Sequence, residues 1–166
     1  MLKQMLKDIK VVQTGEFLLA SGRKSNYFVN IKRASTDPRI LREIAKEMAQ
    51  HVDEAKIAGM ALGAVPLAVA VALETNRPFV MVRKEPKDHG TKELIEGEVR
   101  PGDKFVIVED VATTGSSTLR VVSALREKGA NVSRAIVVVD REEGATEMLK
   151  EHGIELISIF KAKDLA

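Results

Sequence analysis

Short runs of hydrophobic residues alternate along this chain with longer segments in which hydrophobic positions recur every three or four residues. Unbroken apolar runs are typical of buried strands, and the three-to-four spacing is typical of amphipathic helices. Asp37 and Pro38 supply an N-cap and a first-turn proline, while Gly129 and Gly153 each follow a helical segment. The predicted strands are 57–60, 79–82, 105–108, 132–139 and 154–159. The predicted helices are 1–10, 38–52, 66–75, 116–128 and 143–152.

This alternation predicts an α/β fold with a mainly parallel central sheet and helices on both faces. Two further strand candidates, 17–19 and 27–31, flank the turn-rich segment 21–26 near the N-terminus. A length of 166 residues suits a single domain, 1–166. Open sheets of this kind bind ligands beyond the carboxyl ends of their strands. The loops expected at that edge are 60–65, 83–97, 109–118 and 140–144.

The composition excludes several classes of protein. The 26 basic and 24 acidic residues give a net charge of +2, so no overall field favours nucleic acid as a partner. Cysteine is absent, which excludes a disulfide framework and fits a reducing compartment. No stretch approaches the ~18 apolar residues of a membrane span, and residues 1–7 are amphipathic rather than signal-like. We therefore expect a cytoplasmic protein with neither nucleic acid nor membrane as a partner.

The most informative segment is 105–118, in which a predicted strand is followed by an acidic pair and then by a hydroxyl-rich turn. A helix N-terminus offers unpaired backbone N–H groups to a phosphate, and Gly115 lets the backbone approach closely. Glu109 and Asp110 repel phosphate but suit ribose hydroxyls or a metal-bound sugar. An ordinary capped turn is the alternative, but it explains one hydroxyl and no acidic pair. The chain contains no P-loop and no G-x-G-x-x-G sequence. The turn residues are Thr113, Thr114, Gly115, Ser116, Ser117 and Thr118.

Residues 83–97 form a charged segment of lid length that leaves a predicted strand at the ligand-binding edge. Lys84, Lys87 and His89 suit the neutralisation of a diphosphate. The alternative is a solvated surface loop. The loop after another predicted strand contains Gly63 and Pro66, which indicate an irregular backbone that suits a second anion. The alternative is a plain connection between a strand and a helix.

Three stretches carry a resemblance to a known family. The run from Val106 to Thr118 resembles the phosphoribosyl-diphosphate motif of the type I phosphoribosyltransferases. The string Arg-Lys-Glu-x-Lys-x-His-Gly within 83–97, followed by Ile-Glu-Gly, resembles the catalytic loop of the orotate phosphoribosyltransferases. Residues 15–28 resemble the hood that holds the pyrimidine in those enzymes. The resemblance extends from about Gly15 to Gly144, with two departures: Ala20 and Gly63 stand where the family commonly has lysine.

The resemblance implies a type I phosphoribosyltransferase fold with a hood at about 1–35 and a mobile lid at about 83–97. It implies transfer of the phosphoribosyl group of 5-phosphoribosyl 1-diphosphate to orotate, giving orotidine 5′-monophosphate and diphosphate. Mg²⁺ is the implied cofactor, bound mainly through substrate and water rather than by a certain set of protein ligands. The implied assembly is a homodimer in which the lid is shared across the interface.

The same resemblance assigns roles to individual residues. Phe28 is expected to stack near the base, and Arg141, whose planar fork suits a carboxylate, to pair with orotate. Core packing is the alternative for Phe28 or its neighbour Tyr27, and a surface ion pair with Glu142 or Glu143 is the alternative for Arg141. The expected catalytic residues are Lys84, Lys87, His89 and Asp110. The expected substrate-binding residues are Lys24, Phe28, Arg83, Lys84, Lys87, His89, Glu109, Asp110, Val111, Ala112, Thr113, Thr114, Gly115, Ser116, Ser117 and Arg141.

Two alternatives to orotate transfer stay open at this stage. One is the same chemistry on another base, such as uracil or a purine. The other is a non-enzymatic regulator of transcription that senses the sugar diphosphate, for which a nucleic-acid-binding extension or a strongly basic face would be expected. Neither feature is evident in the sequence.

Overall fold

The computed structural model describes residues 1–19, 22–86, 90 and 93–166. The helices are α1 (Leu2–Asp8), α2 (Lys32–Ser35), α3 (Pro38–Ala49), α4 (Val65–Thr75), α5 (Ser116–Glu127) and α6 (Ala145–Glu151), with a 3₁₀ turn at Ala162–Asp164. The strands are β1 (Val12–Leu18), β2 (Lys24–Val29), β3 (Lys56–Met60), β4 (Phe79–Val82), β5 (Ile95–Glu96), β6 (Lys104–Ala112), β7 (Asn131–Asp140) and β8 (Glu155–Lys161). In this described part of the chain, no helix is long and apolar enough to cross a membrane.

Six strands form the central sheet in the order β5-β4-β3-β6-β7-β8. All neighbouring pairs are parallel except β4 and β5, which are antiparallel. The antiparallel strands β1 and β2 form a separate two-stranded sheet. The predicted α/β fold with a mainly parallel sheet and a small N-terminal unit is therefore confirmed.

Helices cover the sheet on both faces, and alternate strand residues supply the two cores. Ile57 of β3 belongs to a cluster with Ile44 of α3 and Leu67 of α4. Its neighbour Ala58 belongs to the other cluster, with Leu125 of α5. Because successive strand residues point to opposite faces, such continuous apolar runs are what a sheet buried on both sides requires.

The strand β6 is longer than the sequence predicts. The apolar run ends at Val108, but the ladder continues with Val111 paired to Val139 and Ala112 paired to Asp140. The prediction that the acidic pair follows the strand is therefore wrong, since Glu109 and Asp110 both lie in the carboxyl-terminal half of β6. Pairing with the long strand β7 outweighs the low strand propensity of acidic residues.

Smaller differences occur at the N-terminal unit and at α6. Both N-terminal strands start earlier than predicted, and a register shift between Thr14 and Phe17 interrupts β1. The four-residue helix α2 is too short to show a helical period, which is why the sequence pattern missed it. The helix α6 begins at Ala145 rather than 143, because Gly144 adopts a φ of 107° at its N-cap.

Candidate functional site

The candidate site lies at the carboxyl ends of β3 and β6, near the middle of the sheet. From β3 the chain crosses through α4 to β4 on one side, whereas from β6 it crosses through α5 to β7 on the other. The two neighbouring strands therefore send their connections in opposite directions, which opens a crevice between their ends. The loop after β3 and the hydroxyl-rich turn after β6 both face this crevice.

The hydroxyl-rich turn surrounds a cavity of about 230 Å³. Gly115 has a φ of 88° at the N-cap of α5, and a Cβ there would lie 3.3 Å from the Ala145 Cα. Both the left-handed backbone and the close approach require glycine. The hydroxyls of Thr114 and Ser116 lie 3.1 Å apart at the opening of the helix. The cavity is lined by Leu19, Val111, Ala112, Thr113, Thr114, Gly115, Ser116, Ser117 and Thr118.

The acidic pair places one carboxylate inside the protein and the other toward the crevice. Glu109 is buried, and its Oε1 accepts a hydrogen bond of 3.1 Å from the Asp110 backbone N–H. Burial raises the pKa of the Glu109 carboxyl well above its ordinary value, and the charge of Asp110 acts in the same direction. Asp110 is partly exposed, and its Oδ1 accepts from the Val111 N–H at 2.8 Å. Glu109 therefore retains its proton at a pH at which an exposed glutamate has lost it.

A second, smaller cavity of about 150 Å³ adjoins the first. Asp110 projects into it, and the Nζ of Lys32 lies 3.7 Å from the Asp110 Oδ2. The loop after β3 closes one side, and the peptide bond between Ala61 and Leu62 in that loop is cis. The cavity is lined by Lys32, Met60, Ala61, Leu62, Gly63, Lys84, Glu109, Asp110, Val111 and Ser117.

Arg141 lies at the next strand end and is held by contacts from distant parts of the chain. Its Nε donates to the Glu143 Oε2 at 2.7 Å, and its Nη2 donates to the Ser25 Oγ at 2.9 Å. The guanidinium also lies 4.0 Å from the centre of the Tyr27 ring. An ion pair with Glu143 is thus present, but the Arg141 side chain is only 3% exposed, so it is not a surface pair. The Arg141 backbone N–H donates to the Ala112 carbonyl at 3.0 Å, which ties this turn to the end of β6.

Asp140 fixes the turn that carries Arg141. This buried carboxylate accepts from the Glu142 backbone N–H at 2.8 Å and from the Lys161 Nζ at 3.2 Å. The Thr146 hydroxyl donates to the same carboxylate at 3.5 Å. A buried charge is tolerated when it is paired and hydrogen-bonded in this way.

The aromatic residues of β2 divide between the two faces of the N-terminal hairpin. Tyr27 packs beneath Arg141, whereas Phe28 is 37% exposed, with its ring 5.6 Å from that of Phe17. Core packing therefore accounts for Tyr27 better than for Phe28. Lys24 is exposed at the start of the same strand.

The two ends of the predicted lid are joined by β4 and β5. Arg83 donates through its backbone N–H to the Leu94 carbonyl at 2.7 Å, and its side chain pairs with Glu96 at 3.1 Å. Arg120 donates to the Lys84 carbonyl, so the first residues of this segment lie over α5. Two predicted lid residues, Lys87 and His89, lie outside the described residues.

The structure places the hydroxyl-rich turn, the acidic pair and Lys84 around two adjoining cavities, and adds residues that the sequence pattern does not indicate. Lys32 and Leu19 line the cavities, and Ser25 contacts Arg141. Each of the three lies in or beside the N-terminal hairpin, far from the motif in sequence. Only a three-dimensional arrangement reveals these contacts.

Comparison with known proteins decides the family. Residues 32–160 match the family model described as the phosphoribosyl transferase domain. The orotate phosphoribosyltransferase of Natronomonas pharaonis is 53% identical over 160 residues, covering 96% of this chain and 92% of that protein. The chain belongs to the orotate phosphoribosyltransferase family. The sequence-based assignment of the family is therefore confirmed.

Solved structures of orotate phosphoribosyltransferases have the same fold. The enzyme from Aeropyrum pernix superposes with a TM-score of 0.86 at 36% identity, covering 99% of this chain and 96% of the other. The enzyme from Mycobacterium tuberculosis, solved in complex with 5-phospho-alpha-D-ribosyl 1-diphosphate, superposes with a TM-score of 0.80 at 32% identity, covering 99% and 96%. The hood-like hairpin and the crevice thus belong to a fold that the family shares over its whole length.

Proposed function

We propose that this protein transfers the phosphoribosyl group of 5-phosphoribosyl 1-diphosphate to orotate, as its relatives' names indicate. The observation that carries the proposal is the pair of adjoining cavities, which share Val111 and Ser117. One is ringed by hydroxyls at a helix N-terminus, the other contains two lysines, and Asp110 faces the second beside their junction. This order fits a 5-phosphate, a ribose and a 1-diphosphate in sequence.

In the proposed reaction the bond from ribose C1 to the diphosphate oxygen breaks, and a bond from C1 to the orotate nitrogen N1 forms. The diphosphate leaves with the electron pair, and the N1 proton is released. The ribose carbon is cation-like between these two events, so the protein contributes chiefly positioning and charge stabilisation. The products are orotidine 5′-monophosphate and diphosphate.

Charge stabilisation falls to the acidic pair and the lid. Asp110 accepts from the ribose hydroxyls and places its negative charge near the cation-like carbon. Burial and the charge of Asp110 raise the pKa of Glu109, and below that raised pKa its proton limits the repulsion between the two adjacent carboxylates. Lys84, together with Lys87 and His89 of the lid, offsets the charge on the departing diphosphate, and Arg83 supports the lid at its base.

Orotate recognition is assigned to Arg141 and the hood. A guanidinium has five N–H donors in a planar fork, and the contacts described above engage Nε and Nη2. Nη1 is the atom that we assign to the orotate carboxylate. Phe28, which we assign to stacking near the base, and Lys24, which we assign to substrate binding, are both exposed on β2.

Mg²⁺ fits the oxygen-rich chemistry of this crevice, where it would be held mainly by substrate oxygens and water, with Asp110 as the nearby carboxylate. Among the described residues, no group of three or more His, Cys, Asp and Glu is placed to hold a metal alone. That arrangement is usual for Mg²⁺, which keeps several waters and binds through phosphates and few carboxylates. When bound, the ion neutralises phosphate charge.

We further propose a single domain, with a hood at about 1–35 and a lid at about 83–97, that forms a homodimer in the cytoplasm. Exposed apolar residues of α4 support the dimer: Leu73 is 80% exposed and Val69 36%. Val69 and Leu73 are four residues apart in α4 and so share a face.

Subunit exchange between Lys87→Ala and Asp110→Ala variants tests a shared lid, because only a site completed across the interface regains activity in the mixed dimer.

The decisive experiment offers the purified protein orotate, uracil, adenine and hypoxanthine, each with Mg²⁺ and 5-phosphoribosyl 1-diphosphate. We expect consumption of orotate alone. Use of a purine or of uracil at comparable efficiency, without use of orotate, would contradict the assigned base. Binding of the sugar diphosphate without turnover of any base would instead favour the sensor.

A further inference from the structure

A lysine outside all of the recognised motifs faces the acidic pair. The Lys32 Nζ lies 3.7 Å from the Asp110 Oδ2, at the edge of the smaller cavity. Lys32 opens the short helix α2, whose position is set by two neighbours: Ile31 is 1% exposed and Ala34 is fully buried. The backbone of Lys32 is therefore held by buried neighbours, while its side chain is 61% exposed and lines the smaller cavity.

At position 63, in the loop after β3, a side chain would compete for space with the Asp110 carboxylate. A Cβ added to Gly63 would lie 2.6 Å from the Asp110 Oδ2 and 3.4 Å from the Lys32 Nζ. Contacts below 3.0 Å require one partner to move, so a side chain at position 63 would require the tip of the Asp110 side chain to shift. The space that a longer residue would occupy is already filled by the pair of Lys32 and Asp110.

The order of the two cavities assigns a ligand group to Lys32. If the hydroxyl-rich turn binds the 5-phosphate and Asp110 binds the ribose, the 1-diphosphate must lie on the far side of Asp110. The cations that line that side, in the part of the chain the structure describes, are Lys32 and Lys84. Lys84 belongs to the lid segment, whereas Lys32 belongs to the folded body and is in place before any lid rearrangement.

We propose that Lys32 is the resident diphosphate-binding cation of this protein, taking the place of a lysine in the loop at Gly63. The inference rests on the proposed function and names a further residue of the same site. In the structure Lys32 balances the charge of Asp110, and at 3.7 Å their contact is an ion pair rather than a hydrogen bond. Exposed pairs of this kind are weak, so the ammonium can exchange Asp110 for a diphosphate oxygen when ribose hydroxyls engage the carboxylate.

The test compares ligands that differ in the diphosphate. Isothermal titration calorimetry with Mg²⁺ measures the binding of inorganic diphosphate and of orotidine 5′-monophosphate to the wild type and to Lys32→Ala. Diphosphate should bind about tenfold more weakly to the variant, which is the size of one charge-assisted hydrogen bond. Orotidine 5′-monophosphate is the reference ligand, because it has the phosphate and the ribose but lacks the diphosphate. Affinity for the nucleotide should stay within about twofold.

Two further variants complete the experiment. Lys46→Ala removes another exposed lysine that pairs with a carboxylate, that of Glu43, but lies on α3 away from the cavities. It should bind both ligands like the wild type. Lys32→Arg keeps the charge and should recover most of the diphosphate affinity, and it also reports on the site if Lys32→Ala unfolds.

Three outcomes would overturn the inference. Unchanged diphosphate binding in Lys32→Ala would show that Lys32 makes no contact with the bound diphosphate. Equal weakening of both ligands would show that Lys32 acts on the site in general, for example by positioning Asp110, because orotidine 5′-monophosphate offers no diphosphate for Lys32 to bind. If the wild type bound neither ligand, the proposed function itself would fail and the role of Lys32 with it.

Discussion

The proposed phosphate side and the proposed base side of the candidate site are built in different ways. The phosphate side, 109–118, is one continuous segment in which β6 passes into α5. The base side joins Arg141 at the end of β7 to Ser25 in the hairpin, 116 residues away in sequence. Local backbone geometry is enough for the first, whereas the second exists only when the hairpin docks on the sheet.

The two sides also differ in the charged groups that surround a buried ionisable side chain. Arg141 is compensated by the carboxylate of Glu143, the hydroxyl of Ser25 and the ring of Tyr27. Burial raises the pKa of Glu109, and the neighbouring carboxylate of Asp110 raises it further. The proposed base side is thus fixed by contacts within the protein, while the proposed phosphate side holds Asp110, whose charge would suit the positive charge formed during the proposed reaction.

The largest expected effect comes from Asp110→Asn. The asparagine retains an oxygen to accept from the Val111 N–H, and the exposed Lys32 pair contributes little to stability, so we expect a change near ±0.5 kcal/mol. Turnover should fall by roughly two to three orders of magnitude, the loss typical of a preorganised electrostatic partner. Steady-state kinetics and thermal unfolding measure the two effects.

Asp53→Asn is the matched control for that variant. Asp53 pairs with Arg134 at 3.0 Å, near the amino end of the sheet. Its substitution should therefore leave turnover unchanged. Near-normal turnover in Asp110→Asn would show that the acidic pair serves the fold rather than the reaction.

The same contrast explains what the sequence could predict. The hydroxyl-rich turn, Gly115 and the acidic pair are contiguous, so their chemistry was readable from residue types in order. The end of β6 was misjudged because its last residues are held by pairing with β7, which a single-strand pattern does not contain. Lys32 was missed because α2 is too short to show a period and because its partner, Asp110, is distant in sequence.

Arg141→Ala tests the base side. If the guanidinium binds the orotate carboxylate, the KM for orotate should rise about 10- to 150-fold, the equivalent of a charge-assisted bond of about 1.5–3 kcal/mol. The KM for the sugar diphosphate should change little. Arg23→Ala is the matched control, since Arg23 pairs with the other oxygen of Glu143 at 3.3 Å but is exposed. Equal increases in both KM values would place Arg141 in the general structure instead.

The smallest expected effect is on the pH dependence of stability, tested with Glu109→Gln. The glutamine keeps an oxygen to accept from the Asp110 N–H but cannot ionise. In the unfolded wild type, Glu109 has a pKa near 4.5 and releases its proton around that pH. In the folded state its pKa is raised, so the proton is retained to a higher pH. The folded state therefore binds more protons in that window, and stability falls as pH rises until the raised pKa is passed.

Thermal unfolding of both proteins from about pH 4 to 9 measures this contribution together with its coupling to Asp110, because groups that do not interact with Glu109 cancel in the difference. The Tm of the wild type minus that of Glu109→Gln should decrease as pH rises above about 4.5 and then level off beyond the raised pKa of Glu109. A difference that increases with pH would mean that Glu109 is stabilised as a carboxylate, as Arg141 is stabilised as a cation. The two sides of the crevice would then hold their buried charges in the same way, and the contrast between them would be lost.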